Sequence, residues 1–240
     1  MVRKFAAFDI DGTLIRWQLF HSIVKQLVER DALSTREYAR MEELFDKWKT
    51  RTALDAFHQY EHAMLATWQV ILQHVSYSDY MQAVEAAFQE HKDYVYRYTR
   101  DLIMQLKSDG YVMIAISGSQ QEVVDKIADY YGFDIALGSK WPTKGEAFTG
   151  ERVSPVDDKG AALNAIVQAH KLTFTDSWAV GDSGSDSKML ALVENPVAFN
   201  PDRALLTAAT KHQWPVVIER KNVIYSLAAD PSTNKYYLEP

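Results

Sequence analysis

Residues 13 to 109 contain neither glycine nor proline, although the chain has 10 glycines and 7 prolines. Glycine and proline are the residues that most often break helices and form turns. A stretch of this length without them predicts helices joined by short polar turns. Apolar residues recur there at helical spacing, for example at Phe20, Ile23 and Leu27. We expect the last of these helices to run from about Lys92 to Lys107.

The remainder of the chain follows a different pattern. From Gly110 onward, short apolar runs alternate with helical segments, and another apolar run covers Phe5 to Ile10. Strands that alternate with helices indicate a parallel sheet that helices cover on both faces. We therefore predict an α/β fold, with a Rossmann-like parallel-sheet core over residues 1–15 and 96–240 and an inserted all-helical domain over residues 16–95.

Composition excludes several classes of protein. The chain has 240 residues, a net charge of -6, 47% hydrophobic residues and no cysteine, which excludes a disordered chain, a disulfide scaffold and a thiolate site. The mild acidity argues against a binder of nucleic acid or anionic membranes. No apolar run approaches the ~20 residues of a membrane span, and the first residues lack the apolar core of a secretory signal. We expect a cytoplasmic monomer or weak dimer.

The first candidate site residues follow the first predicted strand. In open α/β sheets, ligands bind at the carboxyl ends of the strands. The strand from Phe5 ends in Asp9-Ile10-Asp11-Gly12-Thr13, and residues two apart on an extended backbone point the same way. Both carboxylates could therefore point into one ligand site. The alternative interpretation of this segment is a polar turn that follows a strand and binds nothing. An EF-hand calcium loop is excluded, because the glycine is at position four and not six.

Three later segments also carry polar residues where strands end or helices begin. Ser117-Gly118-Ser119 offers a hydroxyl and backbone N–H groups that could hold a phosphate, although a plain helix N-cap is the alternative. Lys159 begins a predicted helix, where a lone lysine is usually solvated. The segment from Gly181 to Asp186 places two acids around a strand-to-helix turn, which suits a hard cation with oxygen ligands.

The last segment, Gly181-Asp182-Ser183-Gly184, also resembles the sequence around the nucleophilic serine of chymotrypsin-like proteases. Those enzymes are β-barrels with a histidine upstream, whereas this chain predicts an α/β fold and has no matching histidine motif. The Gly-x-Ser-x-Gly elbow of α/β-hydrolases also fails, because Ser185 stands where that motif needs its last glycine. We therefore reject serine hydrolysis.

Taken together, the four elements resemble, in order, the four motifs of the haloacid dehalogenase superfamily. The helical insert and the segments Phe148-Thr149-Gly150-Glu151 and Asn200-Pro201-Asp202-Arg203 are similar to the phosphoserine-phosphatase-like subgroup of that family. The resemblance covers most of the chain. It implies a Rossmann-like core with a helical cap, and hydrolysis of a small phosphate monoester with the help of Mg²⁺.

The resemblance also implies a role for each site residue. Asp9 would be the nucleophile that forms an aspartyl-phosphate, and Asp11 would act as general acid and then as general base. Mg²⁺ would be bound by Asp9, the backbone carbonyl of Asp11 and Asp182. Asp186 would orient Lys159 or a metal-bound water. The phosphoryl oxygens would be held by Thr13, Ser117, Gly118 and Lys159.

The chain departs from the subgroup at its substrate contacts. Phosphoserine phosphatases carry a glutamate shortly after the first motif that binds the substrate amine, and Gln18 stands at the matching position. Arg51 is a candidate for their cap arginine, and His21 for the entrance to the site. The substrate itself stays open. Two alternatives on the same fold are a phosphotransferase and a retired phosphometabolite-binding protein, although a retired enzyme should have lost one of the acids or Lys159, and none is missing.

Overall fold

The chain forms two compact units, which the computed structural model describes for residues 3–50, 56–233 and 235–239. The α/β unit comprises Met1–Gln18, Glu90–Ser139 and Ser154–Pro240. The helical unit comprises Leu19–Gln89 and Lys140–Val153. Residues 140–153 thus group with the helical residues, whereas the sequence analysis placed them in the α/β core.

The strands are β1 (Arg3–Phe8), β2 (Val112–Gln120), β3 (Ile135–Ser139), β4 (Thr143–Lys144), β5 (Ala147–Phe148), β6 (Leu172–Gly181), β7 (Asn195–Phe199), β8 (Val216–Arg220), β9 (Val223–Asp230) and β10 (Lys235–Leu238). Within the described ranges, eight of them form one sheet in the order β10-β9-β8-β7-β6-β1-β2-β3. From β3 to β8 the neighbouring strands are parallel, and β9 and β10 add an antiparallel hairpin at one edge. The predicted α/β fold is therefore confirmed.

The order of the strands fixes where a ligand can bind. The chain runs outward from β1 to β2 and β3 on one side, and then returns to build β6, β7 and β8 on the other side of β1. The direction of winding reverses beside β1, and the crevice at such a switch point is the usual ligand site of an open α/β sheet. The residues that follow β1, β2 and β6 therefore face one crevice.

The helices are α1 (Leu19–Glu29), α2 (Thr35–Lys49), α3 (Ala56–Ile71), α4 (Tyr77–His91), α5 (Arg97–Ser108), α6 (Gln121–Tyr131), α7 (Lys159–His170), α8 (Ser187–Leu190) and α9 (Arg203–His212). Helix α5 begins at Arg97, later than the predicted Lys92, because Val95 forms a β-bridge with Ile15. An extended residue at that point excludes a continuous helix. Helix α6 ends at Gly132, which adopts a left-handed φ of 73°.

Burial explains the apolar sequence of the central strands. Residues Phe5 to Phe8 of β1 are all fully buried, so this strand shows no alternation of polar and apolar residues. The cluster that covers it includes Ile114 of β2, Leu163 of α7 and Leu205 of α9. Strands buried on both faces must be apolar throughout, and polar residues are left for the strand ends.

The helical unit has an apolar core of its own. Ile23 and Leu27 of α1 are fully buried, as the helical spacing predicted, whereas the predicted Phe20 is half-buried and Leu19 takes a fully buried place beside them. Residues 140–153 belong to this unit because the ring of Phe148 packs edge-on against Tyr80, with centroids 5.2 Å apart. None of the helices among the described residues is both long and apolar enough to span a membrane.

Candidate active site

A buried lysine bridges two aspartates at the carboxyl end of the sheet. Lys159 Nζ lies 2.7 Å from Asp9 Oδ1 and 2.6 Å from Asp186 Oδ1. The side chains of all three residues are nearly inaccessible to solvent. Burying a charge costs several kcal/mol unless it is paired, and each charge here has a partner at hydrogen-bond distance. The two carboxylates therefore fix the ammonium, and the ammonium fixes Asp9.

These three residues come from distant parts of the chain, and each is held by the local structure around it. Asp9 directly follows β1, and Lys159 is the first residue of α7, whose N-cap Asp158 accepts a hydrogen bond from the N–H of Ala161. Asp186 lies in the turn after β6, where its Oδ2 accepts the N–H groups of Asp182 and Ser183 at 3.1 and 3.0 Å. Asp186 thereby orients Lys159 with one oxygen and shapes the turn with the other.

A second set of contacts joins the ends of β1 and β2. Ser117 Oγ donates to Asp11 Oδ2 at 2.8 Å. The same Oγ accepts the N–H of Ser119 at 2.9 Å, so the hydroxyl proton is left for the aspartate. The two segments meet because they follow β1 and β2, which are neighbours in the sheet.

Thr13 and Gly12 bring the loop after β1 against Asp182. Thr13 Oγ1 lies 3.1 Å from Asp9 Oδ2 and 3.5 Å from Asp182 Oδ1, so one hydroxyl connects both acids. Gly12 has a left-handed φ of 81°, and a Cβ added there would lie 2.1 Å from Asp182 Oδ2. Only glycine leaves space for that carboxylate.

The site contains more acidic than basic side chains. Burial raises the pKa of Asp9 to about 7, against the opposing effect of Lys159, and Asp186 and Asp11 add to the rise. Burial also raises the pKa of Asp182 well above its ordinary value, with further contributions from Asp9 and Asp186. For Lys159, burial favours a lower pKa, but the two carboxylates outweigh it and raise the pKa, so the side chain stays charged.

The arrangement suits a hard cation. Carboxylate oxygens of Asp9, Asp182 and Asp186 lie within 4.8 Å of one another. Oxygen ligands in this number are typical of Mg²⁺, which keeps several waters and needs few protein ligands. Asp186 is already engaged by Lys159 and two N–H groups. Asp9 Oδ2 and Asp182 Oδ1 are less strongly engaged, by the Thr13 hydroxyl at 3.1 and 3.5 Å, and the raised pKa values of both acids indicate that a nearby positive charge would stabilise them.

The predicted substrate contacts lie in different parts of the chain. Gln18 is half-buried in the α/β unit, and no hydrogen bond among the described residues joins it to the acids. His21 lies in the helical unit, where it stacks on Tyr60 at 5.2 Å and meets Phe45 at 4.5 Å. Burial lowers the pKa of His21 to about 4, so the ring is neutral near pH 7. Arg51 lies outside the described residues.

Two residues outside the predicted set of site residues support the site. Ser139, at the end of β3, donates to the carbonyl of Gly118 at 2.7 Å. Asp202 accepts the N–H of Gly184 at 3.2 Å and so holds the loop that follows Asp182. Ser139 could have been predicted as a site residue, because it is a polar residue at the end of a strand. Asp202 was noted only as part of a family resemblance, because its contact spans residues that are distant in sequence.

Comparisons with known proteins agree with this architecture. The family model for haloacid dehalogenase-like hydrolase matches residues 6–191, more than half of the chain. A histidinol-phosphatase of Neisseria meningitidis is 23% identical over 233 residues, which cover 90% of this chain and 99% of that protein. A phosphoserine phosphatase of Methanocaldococcus jannaschii is 30% identical over 102 residues, 41% of this chain and 48% of the relative, so that this match spans about half of its length.

Solved structures share the fold. A protein of unknown function from Bordetella pertussis Tohama I has a TM-score of 0.71 at 20% identity, with 91% of this chain and 99% of that chain covered. A substrate-bound phosphoserine phosphatase complex has a TM-score of 0.65, also at 20% identity, with 92% and 95% covered. At these identities the likeness establishes a common architecture and no more.

Proposed function

The chain belongs to the haloacid dehalogenase-like hydrolase family, and we propose that it is a Mg²⁺-dependent phosphatase that hydrolyses a small phosphate monoester through an aspartyl-phosphate on Asp9. The observation that carries this proposal is the environment of Asp9. Its carboxylate is buried at the end of β1, held by Lys159 at one oxygen and by Thr13 at the other. A nucleophile must be fixed in this way to attack in line.

In the first half of the proposed reaction, a carboxylate oxygen of Asp9 attacks phosphorus and the bond between phosphorus and the ester oxygen breaks. Asp11 gives a proton to the departing alkoxide. In the second half, Asp11 takes a proton from water as the water attacks phosphorus. The bond to Asp9 then breaks, inorganic phosphate leaves and both side chains are restored.

The other site residues hold the phosphoryl group and the cation. Lys159, Thr13 and Ser117 offer donors to phosphoryl oxygens, together with the backbone N–H of Gly118. Asp9, the backbone carbonyl of Asp11 and Asp182 would hold Mg²⁺. When bound, the cation supplies positive charge that keeps Asp9 ionised and offsets its repulsion from a phosphate dianion.

Substitution of Asp9 tests the proposal. The protein is assayed for phosphate release from a panel of phosphate monoesters, with MgCl₂ and after exhaustive chelation. We expect turnover only with a divalent cation, and Asp9→Asn should retain less than about a tenth of the wild-type kcat, a barrier increase of more than ~1.4 kcal/mol. Asp129→Asn, a change at an exposed residue of α6, is the matched control and should leave kcat unchanged. Full activity after chelation, or in Asp9→Asn, contradicts the mechanism.

For the substrate, we propose an uncharged polar phosphate monoester. A substrate ammonium bound away from water needs an anionic partner, and Gln18 offers only a dipole at the position where phosphoserine phosphatases carry glutamate. The panel therefore includes phosphoglycerol, phosphoethanolamine and phosphoserine. It also includes histidinol phosphate, because the relative named histidinol-phosphatase matches almost the whole chain. A clear preference for an amine-bearing ester contradicts this assignment without affecting the mechanism.

A further inference from the structure

Tyr96 is a half-buried residue just before α5, and the strands on either side of β6 set its place in the fold. Its N–H donates to the carbonyl of Leu14, in the loop after β1, at 2.9 Å. Its ring packs edge-on against Phe199, the last residue of β7, with centroids 4.9 Å apart. In the sheet, β6 lies between β1 and β7. Tyr96 therefore spans the carboxyl end of β6, which Asp182 directly follows.

The hydroxyl of Tyr96 lies in the electric field of Asp182. Burial raises the pKa of this phenol, and among the charged groups that act on it Asp182 has the largest effect and raises the pKa further. The phenol therefore keeps its proton at neutral pH. In the described part of the chain, the Asp182 carboxylate accepts a single hydrogen bond, from Thr13 Oγ1 at 3.5 Å. Asp182 thus has capacity for another donor, and Tyr96 is a neutral donor next to it.

Two neighbours fix the orientation of Tyr96. The guanidinium of Arg16 lies 4.9 Å from the centre of the ring and forms an ion pair with the buried Glu219. Asn200 Oδ1 accepts the N–H of Glu219 at 2.9 Å, and the same side chain forms a hydrogen bond with Tyr96 that lowers the pKa of the phenol. A hydrogen bond favours the ionised form of an acid when the oxygen of the acid accepts it. Asn200 is therefore the donor, and the proton of Tyr96 is left to donate elsewhere.

The loop after β7 connects this arrangement to Asp182. Asn200 has a left-handed φ of 41°, a conformation that asparagine adopts more readily than most residues. Two residues later, the N–H of Asp202 donates to the carbonyl of Asp182 at 2.7 Å. One loop thus holds the Tyr96 hydroxyl through a side chain and the Asp182 backbone through a peptide N–H.

We propose that Tyr96 is a positioning residue for the cation: its hydroxyl, held by Asn200, donates to a water that donates in turn to the Asp182 carboxylate and keeps it aimed at Mg²⁺. The proposal rests on the phosphatase function proposed above, which assigns Asp182 to the cation. Carboxylates that ligate a metal are usually held by hydrogen-bond donors of this kind, and a bridging water serves nearly as well as a direct contact. Tyr96 takes no part in the phosphoryl contacts or proton transfers of that mechanism, so its loss should weaken cation binding selectively.

The test measures the affinity for Mg²⁺ without substrate. Urea unfolding in EDTA and at increasing MgCl₂ gives the dissociation constant, because a ligand that binds only the folded chain raises stability with its concentration. Tyr96→Phe keeps the ring and removes the hydroxyl. We expect it to raise the dissociation constant about tenfold or more, as is usual when a metal ligand loses its support, with an unchanged midpoint in EDTA. An increase of less than about fivefold, or a loss of stability in EDTA alone, overturns the proposal.

Activity provides a second measurement. For Tyr96→Phe, half-maximal phosphate release should need about ten times more MgCl₂ than for wild type, whereas kcat at saturating MgCl₂ should stay within about threefold. Excess cation compensates for weak binding but not for a missing catalytic group. A lower kcat that saturating MgCl₂ does not restore therefore contradicts the positioning role.

Tyr98→Phe is the matched control. Tyr98 is also half-buried and stacks on the same Phe199 ring at 5.6 Å. Burial raises its pKa to about 12, but the acid that adds to this rise is Glu239 and not Asp182. Loss of the Tyr98 hydroxyl should leave the dissociation constant of Mg²⁺ unchanged. A weakening equal to that of Tyr96→Phe would contradict the assignment to Tyr96.

Asn200→Gly tests the support of the hydroxyl, because glycine suits the left-handed φ and removes the amide. It should weaken Mg²⁺ binding, and the double variant Tyr96→Phe/Asn200→Gly should bind Mg²⁺ no more weakly than Tyr96→Phe alone, since both changes interrupt one chain. Additive losses contradict the proposal. If Tyr96→Phe does not fold, unchanged Mg²⁺ binding by Asn200→Gly overturns it.

Asp182→Asn separates this inference from the proposed function. If MgCl₂ does not stabilise the wild type, or stabilises Asp182→Asn equally, the proposed function fails in its assignment of the cation. If the wild type binds Mg²⁺ through Asp182 and Tyr96→Phe binds it as tightly, only this inference fails.

Discussion

Without a divalent cation, the protein should lose stability as the pH rises through neutrality. One responsible group is Asp9, because burial raises its pKa to about 7 in the folded chain from 3.8 in the unfolded one, and the raised pKa of Asp182 acts in the same direction. Between these values the folded protein holds a proton that the unfolded chain has released. The free energy of unfolding must therefore fall as the pH rises, until Asp9 ionises in the folded state as well.

The pKa shift sets the size of the effect. Each pH unit between the two pKa values changes the free energy of unfolding by about 1.4 kcal/mol. From pH 5 to pH 8, Asp9 alone should therefore cost about 3 kcal/mol. Mg²⁺ binds the ionised carboxylates and competes with the proton, so it should stabilise the protein at pH 8 far more than at pH 5. At a hundred times its dissociation constant, a ligand adds about 3 kcal/mol, enough to offset the loss.

Urea unfolding at pH 5, 6, 7 and 8, with EDTA or with MgCl₂, measures both effects. The relevant quantity is the difference between wild type and Asp9→Asn, which cannot ionise at this position, because this difference removes the contributions of groups that the substitution leaves unchanged. Without the cation, wild type should lose about 3 kcal/mol more than Asp9→Asn between pH 5 and pH 8. A difference below about 1 kcal/mol, or an equal effect of Mg²⁺ at both extremes, would refute the reasoning.

Three further changes have expected outcomes. Gly12→Ala should reduce kcat about a hundredfold, because the methyl group displaces the Asp182 carboxylate; activity within threefold of wild type would contradict this. Glu219→Ala should lower the free energy of unfolding in urea by about 2–3 kcal/mol, because this buried acid pairs with Arg16 and accepts two N–H groups at the start of α5, and a loss under about 1 kcal/mol would argue otherwise. Gln18→Glu should raise kcat/KM for phosphoserine and phosphoethanolamine relative to phosphoglycerol; an unchanged ratio would show that position 18 does not contact the substrate.

The sequence by itself determined the architecture and the chemical type of the site. The absence of glycine and proline from residues 13–109 predicted the helices, and short apolar runs predicted the strands of a parallel sheet. Both patterns depend on neighbours a few residues apart, which the sequence displays directly. The acids that follow the strands could be placed at one edge because ligands of an open α/β sheet bind at the carboxyl ends of its strands, whereas Lys159, at the start of a helix, was joined to them by the family resemblance.

Only the tertiary structure decided how those residues are held. The pairing of Lys159 with both Asp9 and Asp186, and the support that Ser139 gives to Gly118, join residues that are distant in the sequence. The grouping of residues 140–153 with the helical unit has the same origin, since it depends on where Phe148 packs. Local periodicity does not predict such contacts, because the partner of a hydroxyl or carboxylate is set by the order of the strands and by the packing of the helices on them.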